Sequence, residues 1–194
     1  MARWVRGSAA SSGGARWRRI LRFRAHQGGH ALLETALLFT ILPFLFLGVS
    51  EFSEADMVMR RVDEAAGKSA DLVARMDSVS AGELDAMKDN LIDELMRPFP
   101  TGDFGLTLTS VVTDQDGRST VGWSHSRGGT VAARVVGSDV ALPAGLAEPS
   151  TSVILAESAS RFASTFGTMI VGARTMTGVA YSAPRRGGQV DMMP

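Results

Sequence analysis

Asp114-Gln-Asp-Gly117, Gly122-Trp-Ser-His-Ser126 and the acidic run from Glu83 to Glu94 are the stretches whose residue types and spacing could support chemistry. The first has the carboxylate and glycine spacing of a calcium loop. In that register the first ligand position falls on Val112 and the closing glutamate position on Trp123, so the ligand set fails. The second approaches the Gly-x-Ser-x-Gly elbow that presents a serine nucleophile above a sheet. Ser126 stands in place of the second glycine, and the stretch reads as part of a hairpin rather than a strand-to-helix turn. His26 lies in the basic N-terminal stretch and His30 at the very start of the apolar segment, which leaves His125 alone. Neither a histidine metal site nor a Ser-His-Asp triad can be built from it. Glu83, Asp85, Asp89, Asp93 and Glu94 could pair for acid–base or metal work, but their spacing is that of a solvated helix face. There is no cysteine, which removes disulfides, thiolate zinc sites and cysteine nucleophiles together. These readings imply a protein that is not an enzyme and takes no metal or cofactor.

The elements that carry these residues follow from periodicity. Phe52, Ala55, Met59, Val62, Ala66, Ala70, Val73 and Met76 recur at three- and four-residue steps, with charged residues between them. That spacing predicts an amphipathic helix. Ser80-Ala-Gly-Glu83 reads as a capping box. It opens a second helix that turns Leu84, Met87, Leu91 and Leu95 inward and that Pro98 and Pro100 end. From Phe104 the period becomes two, through Thr113, with a turn at Asp114–Gly117 and a returning strand from Thr120 to Ser124. Ser126–Gly129 is a loop and Pro143–Pro149 a connector. Thr151–Phe166 and Thr168–Tyr181 read as two longer strands about Gly167, and the tail from Arg185 as a flexible end. The expected fold is α+β, with a long N-terminal helix packed on a small, mostly antiparallel sheet of three to five strands.

The formal net charge of zero hides an asymmetry: the first 29 residues carry seven arginines and no acid. The rest holds 13 basic and 20 acidic residues, a net of −7. A basic patch confined to a leader points to topology or targeting, and an acidic body argues against nucleic acid as a partner. From Thr35 to Ser50 no residue is charged. Counted from His30 the segment has 21 residues, and a bilayer core of about 30 Å needs roughly 20. Buried helices of soluble domains rarely lack a polar face over such a length. The arginines upstream, with Glu51, Glu54 and Asp56 downstream, place the leader in the cytoplasm and the rest across the membrane. Pro43 predicts a bend, which membrane helices tolerate.

Glu34 is out of place in such a segment, because a carboxylate about one turn into it is costly. It could lie shallow enough to reach the headgroups. If instead the leader is cut after Gly29, Glu34 becomes the fifth residue of the mature chain, on the same helix face as the new ammonium of His30. In a bundle it could then neutralise a neighbour's terminus.

Basic leader, glycine, four small or apolar residues, glutamate and apolar helix together resemble the type IV prepilin processing site. The stretch Gly29-His30-Ala-Leu-Leu-Glu34-Thr-Ala-Leu-Leu with Pro43 is similar to the TadE-like pseudopilins of the tight-adherence, or Flp pilus, system. Leu142-Pro-Ala-Gly145, Ser152-Val-Ile-Leu-Ala-Glu157 and the closing Pro184-Arg-Arg186 resemble the C-terminal portion of that family. The resemblance implies a pilin-like fold and a minor subunit of a bacterial inner membrane assembly, with its C-terminal domain in the periplasm. A prepilin peptidase would process it at Gly29 and His30. Its partners would be other pilin-like subunits, secretion-system inner-membrane proteins and the lipid bilayer. Glu34 would serve charge pairing or register, and Pro43, Phe52, Ala55, Met59 and Val62 helix packing. The expected organisation is then a cleaved leader (1–29), a transmembrane helix (30–50), an exported helical region (51–97), an exported β-rich domain (98–184) and a flexible tail (185–194).

Other readings compete. Arg18-Arg19-Ile-Leu resembles a twin-arginine export signal, with Ser53-Glu-Ala55 as a cleavage site, although the apolar segment is long for one. An acid-free leader rich in Arg, Ser and Gly also suits an organelle transit peptide. An uncleaved single-span protein whose outer domain binds an envelope partner is the alternative to a pseudopilin.

Overall fold

The computed structural model describes residues 28–97, 103–129, 131–163, 172–186 and 188–193. The chain divides into two compact units, Met1–Leu47 and Gly48–Pro194. The elements are α1 (Gly28–Ala74), β1 (Ser78–Ser80), α2 (Ala81–Leu91) with a π-helical turn (Ile92–Met96), β2 (Gly105–Thr113), β3 (Ser119–Arg127), β4 (Thr151–Phe162), β5 (Arg174–Ser182) and β6 (Asp191–Met193). The fold is α+β, a long N-terminal helix packed on a small antiparallel sheet.

In the first unit, α1 exposes Leu32, Leu33, Leu37, Leu38, Phe39, Leu42, Phe44, Leu45 and Phe46. It is the one helix among the described residues long and apolar enough to cross a membrane. Its hydroxyls are satisfied locally. Thr35 Oγ1 donates to Ala31 O at 2.7 Å and Thr40 Oγ1 to Ala36 O at 2.9 Å, so neither leaves a polar group unpaired in an apolar stretch.

In the second unit the sheet order is β3-β2-β4-β5, antiparallel throughout. The lower part of α1 lies on one face, with Val62, Ala65, Ala66, Ala70, Val73 and Ala74 at most 1% exposed. Leu106, Leu108, Trp123, Ile154, Ala156 and Phe162 join them in one core. The approach is close. Ser158 Oγ donates to Val62 O at 2.7 Å, and a Cβ added at Gly178 would lie 2.9 Å from Asp63 Cα and 2.8 Å from Ser158 Oγ. Gly178 is opposite Ser158 in the ladder, so one small pair sets the helix–sheet distance.

The capping box forms as its spacing predicts. Glu83 N–H donates to Ser80 Oγ and Ser80 N–H to Glu83 Oε2. Leu84, Met87, Leu91 and Leu95 are buried. The turn at Asp114 forms too, with Asp114 Oδ1 accepting from the N–H groups of Asp116 and Arg118 at 2.9 and 2.8 Å. Pro98, Pro100 and Gly167 lie outside the described residues.

Four expectations need revision. The lower helix ends at Ala74, not Met76, because Arg75 and Met76 N–H turn to carbonyls three residues back. β2 is buried on both faces rather than alternately. The helices cover one face and segment 131–140 crosses the other, where Val131 O accepts from Thr107 and Ser126 hydroxyls and Arg134 N–H donates to Ser124 Oγ. β4 stops at Phe162 and β5 starts at Arg174, the last pair of their ladder. The fourth concerns the tail from Arg185, which is not loose. Arg185 N–H donates to Ala74 O at 2.7 Å, Val190 is fully buried, and β6 pairs in parallel with β1. Its carbonyl at Val190 accepts the indole N–H of buried Trp123 at 2.7 Å, a bond between residues far apart in sequence.

Gly178→Val should therefore destabilise the second unit by about 1–3 kcal/mol through overpacking, with Gly178→Ala intermediate, measured by urea unfolding of the full chain in detergent. Ending the chain at Pro184 should cost at least about 2 kcal/mol, because it orphans a buried indole N–H as well as removing Val190.

Candidate functional site on the N-terminal helix

The residues assigned to processing, pairing and packing all fall on α1, which places them at different levels along it. Gly29 and His30 lie in its first turn, both exposed. A side chain at Gly29 would meet nothing within 4 Å, so packing does not require glycine there. Glu34 is one turn further, exposed, and has no ion-pair partner among the described residues. The four-residue spacing puts His30 and Glu34 on one face. Pro43 sits inside the helix and is exposed; it withholds an N–H from the carbonyl four residues back.

The packing stripe separates into two sets. Ala55 and Val62 are buried in the core, 7% and 0% exposed. Phe52 and Met59 point away from it, 69% and 37% exposed. Met57, beside them in sequence, is also exposed. The helix thus spends one stripe on its own sheet and leaves apolar side chains on another.

The catalytic-looking residues are dispersed by strand geometry. Ser124 and Ser126 share one face of β3, where they bond Thr109 and Thr107 hydroxyls, each at 2.8 Å. His125 alternates to the other face. There its Nε2 meets Asp85 Oδ1 of α2 at 2.9 Å, and Arg127 reaches Asp85 Oδ2 at 2.5 Å and Asp89 at 3.5 Å. Nucleophile and base are therefore on opposite sides of the sheet. Among the described residues no group of three or more His, Asp or Glu could hold a metal ion.

Sequence reading missed this Asp85–His125–Arg127 cluster, having assigned Asp85 and Asp89 to a solvated surface. The available signal was the i, i+2 spacing of His125 and Arg127, which puts both on the face that α2 covers. The hydrogen bond with His125, then that with Arg127, holds the Asp85 carboxyl below its ordinary value against the opposing effect of desolvation. The pairing thus adds stability that is fully present above the ordinary aspartate range near pH 4 and is lost as pH falls through the lower folded value.

No protein-family model, curated protein or solved structure matches the chain.

Asp85→Asn should lower the thermal midpoint at pH 6–7, and the gap from the parent chain should narrow steadily once the pH drops below about 4. A gap that is constant with pH would assign the effect to packing rather than to charge.

Proposed function

We propose that the protein is a minor pilin-like subunit of the TadE type, matured by a prepilin peptidase after Gly29. It would insert its N-terminal helix into a tight-adherence pilus or secretion assembly at the bacterial inner membrane. The observation that carries this reading is Glu34, an exposed carboxylate without an ion-pair partner among the described residues, one turn into the most apolar part of the chain and five residues after Gly29. A carboxylate in the middle of a bilayer costs about 2.5–3.5 kcal/mol by insertion scales. A second subunit's terminal ammonium would offset that cost. The exposed Phe52 and Met59 give the same helix apolar contacts for neighbours beyond the membrane. The leader's arginines support a cytoplasmic N-terminus and a periplasmic C-terminal unit.

One observation favours the alternative, an uncleaved single-pass protein whose periplasmic unit binds an envelope partner. Gly29 and His30 are helical, whereas a peptidase takes up extended backbone. Glycine is the residue that unwinds at least cost, so the first turn can open.

The mass of the mature chain separates the two: an N-terminus at His30 is expected, and a retained leader or a start at Asp56 overturns the proposal. Glu34→Ala should reach the membrane at parental levels yet lose incorporation into the assembly at least tenfold. Unchanged incorporation would favour the single-pass alternative.

A further inference from the structure

The negative charge of the second unit is not spread evenly. Residues 48–97 hold 12 acidic and 6 basic residues, a net of −6, whereas residues 98–194 hold 7 of each. The excess therefore sits on the helical layer, and the β-rich remainder is neutral. Within that layer the lower part of α1 and α2 run antiparallel. Lys68 Nζ reaches Glu94 Oε1 at 2.9 Å, and Arg61 donates to the carbonyl of Leu95.

Between the two helices a groove of about 350 Å³ opens to solvent. Its floor is apolar, with Met87 and Leu91 buried. Leu72 of α1 and Met76 just past its end form one wall, and Leu72 is 41% exposed, so the apolar lining reaches the surface. Ala86 and Asn90, exposed and one turn apart on α2, form the other. Small residues there let a second backbone come close, as helix packing requires.

A carboxylate stands at each end. Glu83 and Glu94 are eleven residues apart, which puts them on one side of the helix and about 16 Å apart at 1.5 Å per residue. Both are exposed, and each is fixed from inside the unit. Glu83 Oε2 accepts from the N–H and hydroxyl of Ser80 at 2.8 and 2.9 Å, and Glu94 Oε1 accepts from Lys68. The other oxygen of each accepts no hydrogen bond among the described residues. Lys68 is shared with Glu64 at 3.2 Å, so two carboxylates meet one ammonium and that end stays negative. An adaptable, methionine-containing apolar floor between two carboxylates matches a basic amphipathic helix, which presents apolar and cationic groups along one face. A second copy of this chain would bring the same acidic layer and be repelled.

We propose that the α1–α2 groove docks an amphipathic helix of a partner protein. That helix lays an apolar stripe over Met87 and Leu91 and sets one lysine or arginine on Glu83 and another, about eleven residues away, on Glu94. The inference uses the Gly48–Pro194 unit alone and does not depend on cleavage, on pilus assembly or on the membrane span.

The full chain in phosphatidylcholine nanodiscs, whose lipid has no net charge to attract a basic peptide, would be titrated into a fluorescein-labelled helix of alanine and glutamine. The probe carries a leucine stripe with a lysine at each end, eleven residues apart. Its anisotropy should report binding at least tenfold tighter than for the same helix with both lysines replaced by glutamate. The margin should be similar over a scramble that keeps the composition but breaks the stripe. Equal binding of the scramble would reduce the contact to bulk charge and overturn the groove, as would no saturable binding of the lysine helix. Ala86→Arg fills the groove from an exposed helical position, so the thermal midpoint should hold while binding falls at least tenfold; Asn90→Arg serves if that chain does not fold. Parental binding by either folded variant would place the site elsewhere and overturn the proposal. Glu83→Gln retains a capping box, and together with Glu94→Gln it should abolish the preference for lysine over glutamate. A preference that survives would overturn the role of the carboxylates. Sedimentation supplies the last arm: a parent chain that is dimeric without peptide, and monomeric as Ala86→Arg, would give the groove to a second copy and overturn the partner helix.

Discussion

Everything in the second unit depends on how near α1 can come to the sheet. Ser158 reaches the carbonyl of Val62, and Gly178 leaves no room for a side chain against Asp63. Close approach of that kind is available only where both surfaces are small. The helix supplies Ala65, Ala66, Ser69 and Ala70, and the sheet supplies Ala156, Ser158 and Gly178, almost all fully buried. Larger side chains, Leu108, Trp123, Ile154 and Phe162, fill the core around this seam. The arrangement trades apolar volume at the contact for dispersion between backbones and a hydrogen bond to a helix carbonyl.

The same helix must satisfy different surroundings along its length. From Gly29 to Phe46 it is exposed on all sides and apolar, a composition suited to lipid. Below Gly48 it buries one stripe and presents Asp56–Arg60, Lys68–Glu64 and Asp71–Arg75 pairs on others. Such exposed pairs contribute little stability each; they keep the outer surface polar while the inner stripe remains small and apolar. Phe52, Met57 and Met59 break that division near the top of the lower stretch, where a helix entering a larger assembly would need apolar contact.

The ends of the unit are closed by chain segments distant in sequence. Residues 183–186 and 188–193 cover the foot of α1 through Arg185, accept the Trp123 indole and add β6 to β1. On the other side of the sheet the segment after β3 satisfies a row of hydroxyls, and Arg134 grips Glu157 with two bonds of 2.9 and 2.7 Å. The two central strands, β2 and β4, are thereby covered on both faces, whereas the edge strand β5 leaves Val179 exposed.

Local chemistry was legible in the residues alone. The capping box, the Asp114 turn, the inward stripe of α2 and the apolar run of α1 each depend on neighbours within about one helical turn or one hairpin, so spacing reveals them. Glu34 was legible for the opposite reason, as a charge that its surroundings do not favour. What spacing cannot reveal is which distant surface covers a residue. Asp85 looked solvated until His125 and Arg127 arrived from another strand, and β2 looked half-exposed until residues 131–140 crossed it. The tail looked loose because Arg185-Arg-Gly-Gly188 has no periodicity, whereas its order comes from Trp123, Ala74 and β1. Sequence therefore determined the elements and the membrane-length helix, since those are set by period and composition. Tertiary structure decided the partners, because a hydrogen bond or a buried contact across tens of residues leaves no local pattern.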